Sequence, residues 1–177
     1  MLDFNIVIDP ISGEKRLETS ITGKALLTLP QLNKGTAFTK REREDFGLSG
    51  KLPMQVEELD AQVQRAYIQF QGYQTDLQKN IYLNNLHDKN QILFYRLISD
   101  HLAEMVPLVY TPIVGNAVKK FSLEFRQPRG LYISYPESED IGKLLSNRTC
   151  PEIDLIVVSD GEGVLGIGDQ GVGAIDI

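Results

Sequence analysis

The feature that most constrains this chain is a series of segments in which apolar residues recur at helical spacing behind a helix-start signal. Two of these starts, Thr39–Glu42 and Thr75–Gln78, are capping boxes, in which a threonine is followed three residues later by Glu or Gln. Gly47 and Gly72 follow the first two segments, and helices commonly end on glycine. From Thr39 onwards, the pattern predicts an all-helical module.

The pattern predicts five helices in this module. The second follows Pro53, and the fourth begins at Asp88–Gln91 and continues to Pro107. The fifth begins at Thr111-Pro112, a cap followed by proline in the first helical position. The apolar positions expected to face inwards are Val56, Leu59, Val63, Ala66, Tyr67, Phe70, Ile81, Tyr82, Leu86, Ile92, Leu93, Leu97, Ile98, Leu102, Val114, Ala117, Val118, Phe121 and Phe125.

Residues 1–30 have a different character and are irregular or β-like. Phe4, Ile6 and Ile8 alternate along the chain, and Ile11–Glu14 then supplies a turn. We interpret this segment as an arm that lies either on a partner subunit or on the body of the same chain. The sequence leaves both arrangements open.

The pattern changes again near Pro128–Gly130. Leu131–Tyr135 is typical of a short strand and Ser138–Leu145 of a helix, and Asp154–Ser159 is a nearly continuous apolar run, as in a strand buried within a parallel sheet. Strand, helix and strand predict the start of an α/β domain, truncated because so few strands cannot bury both faces of a parallel sheet. The predicted fold class is a mainly α amino-terminal module followed by the truncated start of an α/β domain. Its parts are an arm (1–30), the helical domain (31–129) and the α/β start (130–177).

Charge and cysteine content argue against several classes of protein. The net charge of -6 argues against non-specific nucleic-acid binding, which depends on basic patches that neutralise phosphates. No apolar run approaches the roughly 20 residues of a membrane-spanning helix, and the first residues lack the pattern of a secretory signal. Cys150 is the only cysteine, so no internal disulfide can form, and a reducing cytoplasm is the expected compartment.

Tyr110 is the candidate catalytic residue. It lies immediately before the predicted cap at Thr111, where unpaired N–H groups and the helix dipole concentrate positive potential. This position suits an anionic substrate and a tyrosine that gives and takes a proton. The alternative is a tyrosine that packs as a hydrophobic staple, which is the commoner arrangement. The residues alone leave both interpretations open.

Other motifs carry weaker signals. Gly166–Gly171 matches G-x-G-x-x-G, but the dinucleotide fingerprint also needs a strand before it and a helix after it. Asp160–Gly163 is instead typical of a hairpin turn between Asp154–Ser159 and the residues that follow, so we interpret these glycines as turn or close-packing positions. His87 and His101 have no second ligand at metal-binding spacing and are expected to be surface or packed histidines. Four spaced acids could suggest a metal site, although turn chemistry explains the first two equally well. They are Asp160, Glu162, Asp169 and Asp176.

Six blocks are specific in their order and spacing. They are Leu32–Thr39 (LNKGTAFT), Leu93–Arg96 (LFYR), Pro107–Gly115 (PLVYTPIVG), Arg129–Ser134 (RGLYIS), Val157–Glu162 (VVSDGE) and Leu165–Gly171 (LGIGDQG). Together they resemble the blocks of malic enzymes, and in particular the amino-terminal part of NAD-linked bacterial malic enzymes. The resemblance excludes residues 1–30.

The resemblance implies an enzyme that oxidises L-malate, or a similar 2-hydroxy acid, with NAD or NADP and decarboxylates it to pyruvate with Mg²⁺ or Mn²⁺. Tyr110 then matches the tyrosine that acts as general acid and protonates the enolpyruvate carbon. The family's general-base lysine, metal-binding acids and nucleotide fingerprint lie beyond this segment. The segment alone is therefore expected to bind neither the nicotinamide cofactor nor the metal ion, and to be inactive. The family also implies a homodimer or homotetramer.

Two departures from the family concern the substrate. Gly163 stands where the family's D-G-E-R turn has an arginine that binds a malate carboxylate, a contact that glycine cannot supply. Val172–Ile177, which includes Asp176, also differs, and both changes resemble malolactic enzymes, which convert malate to lactate with NAD and Mn²⁺. Arg126 and Arg129 are substitute cations by proximity only, and each is interpreted first as a structural residue. A non-catalytic oligomerisation module is the third possibility, with Gly163 as its only sign.

Overall fold

The chain begins with an antiparallel hairpin and continues as a helical body. The computed structural model describes residues 4–124, 127–148 and 153–177. Strands β1 (Asn5–Ile8) and β2 (Lys15–Glu18) pair with Ile6 opposite Leu17. The β-like prediction for residues 1–30 is therefore confirmed for the hairpin, and it is wrong for Gly23–Thr28, which form a helix.

Within the described ranges, the chain then forms eight α-helices. They are α1 (Gly23–Thr28), α2 (Lys40–Asp45), α3 (Leu59–Gln71), α4 (Asp76–Lys89), α5 (Gln91–Asp100), α6 (Leu102–Val109), α7 (Ile113–Lys119) and α8 (Ile141–Ser146). Four 3-10 turns lie at Gly35–Ala37, Phe121–Leu123, Tyr135–Asp140 and Gly171–Asp176. None of the helices in the described part of the chain is long and apolar enough to cross a bilayer.

Both predicted capping boxes are present. The Thr39 hydroxyl accepts from the Glu42 N–H at 3.2 Å, and the Glu42 carboxylate accepts from the Thr39 N–H at 2.8 Å. Thr75 and Gln78 make the same reciprocal pair at the start of α4. Because these bonds satisfy N–H groups that the helix itself leaves unpaired, they fix where α2 and α4 begin.

The bounds of two predicted helices are wrong. The helix after Pro53 begins only at Leu59, so Val56 lies outside it. The helix expected to reach Pro107 is broken at His101 into α5 and α6, and Pro107 lies inside α6. Pro107 has no N–H for the Ala103 carbonyl, but Ala103 is exposed, so water can bind there.

The start of α7 also differs from the prediction. Pro112, and not Thr111, is the residue before the first helical turn, and Thr111 makes no side-chain cap. The helix ends at Lys119, so Phe121 falls in a 3-10 turn, and Phe125 lies outside the described residues. Tyr110 is therefore separated from α7 by two residues instead of one.

Two hydrophobic clusters hold the body together. The larger lies between α3, α4, α5 and α6 and is formed by Val63, Ala66, Phe70, Leu83, Leu97, Met105 and Leu108. The smaller packs α1 against the loops around α2 and is formed by Leu26, Leu32, Phe38 and Leu48. The prediction of a mainly helical fold is confirmed.

The strands predicted after residue 130 are wrong. Leu131–Tyr135 and Asp154–Ser159 form no ladder in the part of the chain that the structure describes, and Leu155 and Val157 are 80% and 85% exposed. A run of apolar, β-branched residues favours extended backbone, but a strand also requires a neighbouring strand to which it can hydrogen-bond. The helix predicted over Ser138–Leu145 is present as a 3-10 turn followed by α8. The domain boundary near residue 130 stays a prediction.

A buried arginine organises the loops around the smaller cluster. Arg43 in α2 is only 6% exposed, and its guanidinium donates to five backbone carbonyls at 2.6–3.3 Å. The acceptors are the carbonyls of Thr36, Phe38, Pro53, Met54 and Gln55. A planar fork of five N–H donors suits such a ring of acceptors, whereas a lysine ammonium has only three donors.

We expect Arg43→Lys to lower the free energy of unfolding by at least about 2 kcal/mol, because it leaves buried carbonyls without donors. Arg41→Lys is the matched control, since the Arg41 side chain is 91% exposed on the same helix and its replacement should stay within about 0.5 kcal/mol. Urea unfolding followed by circular dichroism measures both changes. Equal stability of the two variants would contradict the role given to Arg43.

Candidate functional site

Tyr110 lies at the junction of α6 and α7. Its N–H donates to the Val106 carbonyl at 3.0 Å, and its carbonyl accepts from the Val114 N–H at 2.8 Å. The next peptide bond, Thr111-Pro112, is cis. The backbone of Tyr110 is therefore bonded to both helices, while its side chain is 50% exposed and open to a ligand from solvent.

A buried asparagine completes the hydrogen bonding of this junction. In a helix, the Leu108 carbonyl would accept from the N–H of residue 112, but residue 112 is a proline and has none. The Asn80 side-chain amide donates to this carbonyl at 2.7 Å, and Asn80 is fully buried. Asn84 in turn donates to the Asn80 side-chain oxygen at 3.2 Å. Helix α4 thus fixes the end of α6 from which Tyr110 emerges.

The glycine-rich segment, residues 161–171, forms a closed loop, which we call the glycine-rich loop. The Gln170 N–H donates to the Gly161 carbonyl at 2.9 Å, and Val164 and Gly168 exchange two backbone hydrogen bonds inside the loop. Gly161 has a φ of +71°, and a Cβ there would collide with the Gly171 carbonyl oxygen, so this position requires glycine.

The positive φ values of Gly166, Gly168 and Gly171 confirm their interpretation as turn residues. A 3-10 turn begins at Gly171, and residues 153–160, directly before the loop, form no strand. The segment therefore lacks the strand–loop–helix arrangement that holds a dinucleotide.

This loop packs on the helix that follows Tyr110. A Cβ added to Gly115 in α7 would lie 2.9 Å from the Ile167 side chain, and one added to Gly173 would lie 3.2 Å from Val118. Small residues on both surfaces allow this close approach. The structure thereby brings together two blocks, Pro107–Gly115 and Leu165–Gly171, that are about 50 residues apart in sequence.

Gly163 occupies an open position in the same loop. It is exposed, no heavy atom lies within 4 Å of a Cβ built there, and its backbone is outside the left-handed region. The fold therefore accepts a side chain at this position, in contrast to Gly161.

Arg129 is engaged with α4. Its guanidinium donates to the Asp88 carboxylate at 2.7 Å and lies 3.3 Å from His87 Nδ1. Burial, and then the positive charge of Arg129, lower the pKa of His87, which keeps the imidazole neutral beside the guanidinium. These contacts agree with the interpretation of Arg129 as a structural residue. Arg126, the other substitute cation, lies outside the described residues.

The remaining candidates have structural roles. The His101 ring stacks on Tyr67 with centroids 3.7 Å apart, and the His87 ring lies edge-on to Phe94 with centroids 4.9 Å apart. Both histidines are therefore packed, as expected. The Asp160 carboxylate accepts from the Glu162 N–H, and Asp169 accepts from Gly171, which are turn contacts. Asp176 lines a small cleft with Arg129. Among the residues described, no group of three or more His, Cys, Asp or Glu side chains could hold a metal ion.

Sequence reasoning missed Asn80. Its signal was a polar residue directly before the apolar residues Ile81 and Tyr82, combined with a proline at the start of another helix. Neither observation alone identifies the pair, because the amide and the carbonyl are 28 residues apart in the chain.

Known proteins match most of this chain in sequence. Residues 87–177 match the model of the malic enzyme N-terminal domain. The chain is 50% identical over 167 residues to an NAD-dependent malic enzyme of Aeromonas hydrophila subsp. hydrophila, which covers 94% of this chain and 30% of that protein. It is 48% identical over 169 residues to NAD-dependent malic enzyme 3 of Bacillus subtilis, with the same coverage of 94% and 30%.

The chain thus spans about 30% of the length of these curated relatives. The region that matches the family model begins in α4 and contains Tyr110, Leu108, whose carbonyl accepts from Asn80, and the whole glycine-rich loop. On these grounds the chain belongs to the malic enzyme family.

Proposed function

We propose that this chain forms the amino-terminal part of an enzyme that oxidises L-malate with NAD and decarboxylates the product to pyruvate and CO₂, with Tyr110 as the general acid. The observation that carries the proposal is the position of Tyr110. Its backbone is bonded to two helices beside the glycine-rich loop, and its phenol is open to solvent, in a chain that belongs to the malic enzyme family. The relatives named above are NAD-dependent, which favours NAD over NADP.

We assign neither the NAD site nor the metal site to residues of this chain. The glycine-rich loop lacks the strand–loop–helix geometry of a dinucleotide site, and among the described residues no group of three or more His, Cys, Asp or Glu side chains could hold a metal ion. NAD would accept the hydride of malate, and Mg²⁺ or Mn²⁺ would polarise its oxygens, from sites on other parts of the enzyme. The role proposed for Tyr110 is argued from the position of Tyr110 in the fold and does not depend on where the cofactors bind.

The role of Tyr110 is to transfer one proton. Loss of CO₂ from oxaloacetate leaves enolpyruvate, whose methylene carbon must gain a proton to become pyruvate. The phenol O–H of Tyr110 supplies that proton and recovers one from solvent, to which its side chain is exposed. Because its backbone is bonded to two helices at 3.0 and 2.8 Å, Tyr110 loses little backbone freedom when the substrate binds.

A malolactic enzyme is the second candidate function. Gly163 supplies no carboxylate-binding cation, and Asp176 lies in a segment that departs from the malic enzyme pattern. Both features favour conversion of malate to lactate without net reduction of NAD. A purely oligomeric module without catalysis is the third, and activity measurements separate all three.

The deciding experiment uses the full-length protein with L-malate, Mn²⁺ and NAD, and follows reduced cofactor and organic acids together. Reduced NAD with pyruvate supports the malic enzyme, and lactate without reduced NAD supports the malolactic enzyme. Turnover of neither kind contradicts both. We also expect the full-length protein in the cytoplasm as a homodimer or homotetramer, and a monomer in analytical ultracentrifugation would contradict that assembly.

We expect Tyr110→Phe in the full-length protein to lower kcat about 10²–10⁴-fold with little change in stability, because it removes only the proton that the phenol donates. Tyr135→Phe is the matched control, since Tyr135 is 92% exposed and should be replaceable without effect. Steady-state kinetics and thermal unfolding measure the two effects. An unchanged rate for Tyr110→Phe would rule out its catalytic role.

Asn80→Leu leaves the Leu108 carbonyl without a donor, so we expect it to cost about 1–3 kcal/mol of stability. Because this carbonyl lies at the end of α6, we also expect kcat to fall while Tyr110 is intact. Asn85→Leu changes an exposed residue of the same helix and should do neither. A loss of stability with normal kcat would show that the junction does not position Tyr110.

Gly163→Arg introduces the arginine that the resemblance to malic enzymes implies at this position, and the open space around Gly163 predicts that the variant folds normally. We expect the KM for malate to fall about tenfold or more, because an arginine adds a bidentate bond to a carboxylate. Gly163→Gln, similar in shape but uncharged, should have a much smaller effect. An unchanged KM for the arginine variant would mean that another cation already holds the carboxylate.

A further inference from the structure

The hairpin exposes an apolar face. Both of its strands are exposed along their whole length, and Ile6 and Leu17, which are direct cross-strand partners, are 63% and 49% exposed. Ile8, two residues from Ile6 and therefore on the same face, is 57% exposed. A two-stranded hairpin alone is marginally stable in water and gains stability from additional strands.

The hairpin packs against the body at its base. Phe4 precedes β1 and Ile21 follows β2, and both pack against the smaller hydrophobic cluster. The strands between them are anchored to the body at their two ends, so the outer edge of β2 is presented to solvent in a defined position.

The hydrogen-bond pattern determines which backbone groups face outwards. The Asp9 N–H donates to the Glu14 carbonyl at 2.8 Å. In an antiparallel ladder, hydrogen-bonded pairs recur at every second residue, so Arg16 also directs its N–H and C=O towards β1. The N–H and C=O groups of Lys15 and Leu17 point the other way, along the outer edge of β2.

We propose that the outer edge of β2 pairs with the same edge of a second copy of this chain, forming a four-stranded antiparallel sheet about a two-fold axis at Leu17. In this register the two Leu17 residues form a hydrogen-bonded pair on the axis. Arg16 of each copy lies directly opposite Glu18 of the other. These flanking positions form non-hydrogen-bonded pairs, whose side chains approach most closely.

Charge complementarity selects this edge and this register. A two-fold axis at Arg16 would place the two Arg16 side chains opposite each other and Glu14 opposite Glu18, and like charges in these positions are destabilising. On the outer edge of β1, Asn5–Ile8 contains no charged residue that could select a register. An axis at Lys15 would pair Glu14 with Arg16 but would also place the two Lys15 side chains opposite each other. Of these registers, the axis at Leu17 is the one that gives two pairs of opposite charge and no pair of like charge.

The side chains involved are available for these contacts. Arg16 binds Asp9 at 2.9 Å, but its side chain is 58% exposed and a guanidinium has five donors. Glu18 makes no ion pair in the part of the chain that the structure describes. On the other face, one apolar row would cross the four strands, formed by Ile6 and Leu17 of each copy. The two Leu17 side chains would lie beside each other in this row and shield each other from water.

Disulfide cross-linking tests the geometry in the full-length protein with its native cysteines, Cys150 included, replaced by serine. The Cα atoms of a hydrogen-bonded pair lie about 5.5 Å apart, within the range of a disulfide, so oxidised Leu17→Cys should form a covalent dimer. Lys15→Cys is the control, because in this register the two copies of residue 15 are about 14 Å apart along the strands. We expect Leu17→Cys to cross-link at least about tenfold faster, and equal rates or no dimer would overturn the proposal.

Charge reversal tests the register with the same readout. Adding Arg16→Glu to Leu17→Cys should slow cross-linking about tenfold at low salt, because each Glu18 then faces a glutamate. Adding Glu18→Arg as well should restore the rate. The double reversal also lacks the Asp9 ion pair, so recovery can come only from the contact between copies. Lys15→Glu makes the same charge change on the opposite face and should have little effect. Failure of the double reversal to recover would overturn the register.

Discussion

Much of the structure depends on side-chain donors that satisfy backbone carbonyls far from any regular ladder. Arg43 is the clearest case, because it is a buried cation whose five bonds all go to carbonyl oxygens. Burying a charge is costly unless its donors are satisfied, and five carbonyl dipoles directed at one guanidinium meet that condition. The loops that carry these carbonyls, on both sides of α2, are thereby bound to one point. The short helix α2 is stabilised by this contact and its capping box more than by its own length.

The same physical device recurs at the proposed catalytic tyrosine. Pro112 interrupts the hydrogen bonding at the end of α6, and the Asn80 amide supplies the donor that the proline lacks. The consequence is that Tyr110 follows a helix end whose carbonyl is satisfied from α4, within the larger hydrophobic core. A flexible loop could carry the same phenol, but it would not fix the phenol's starting point relative to α7 and the glycine-rich loop.

Whether the sequence predicted an interaction depended on how far apart its two partners lie along the chain. The capping boxes at Thr39 and Thr75 join residues three apart, so the local pattern was sufficient. The break at His101 and the absence of a ladder at Asp154–Ser159 depend on neighbours that the pattern does not contain. Arg43 and Asn80 were missed because their partners are up to 28 residues away. The position of Tyr110 was predicted from its block, but its separation from α7 was not, because Pro112 and not Thr111 precedes the helix.

The two glycines at the start of the glycine-rich loop differ in what requires them. Gly161 has a positive φ and lies against the Gly171 carbonyl, so the loop can close only with glycine there. Gly163 has neither constraint, because its backbone is available to any residue and the space around it is open. An arginine at position 163, the residue that the resemblance to malic enzymes implies there, would therefore leave the backbone of the loop unaffected. The proposed effect of glycine is on charge: it leaves a loop that packs on the helix following Tyr110 without a cation at this position, and so changes which anions this surface can bind.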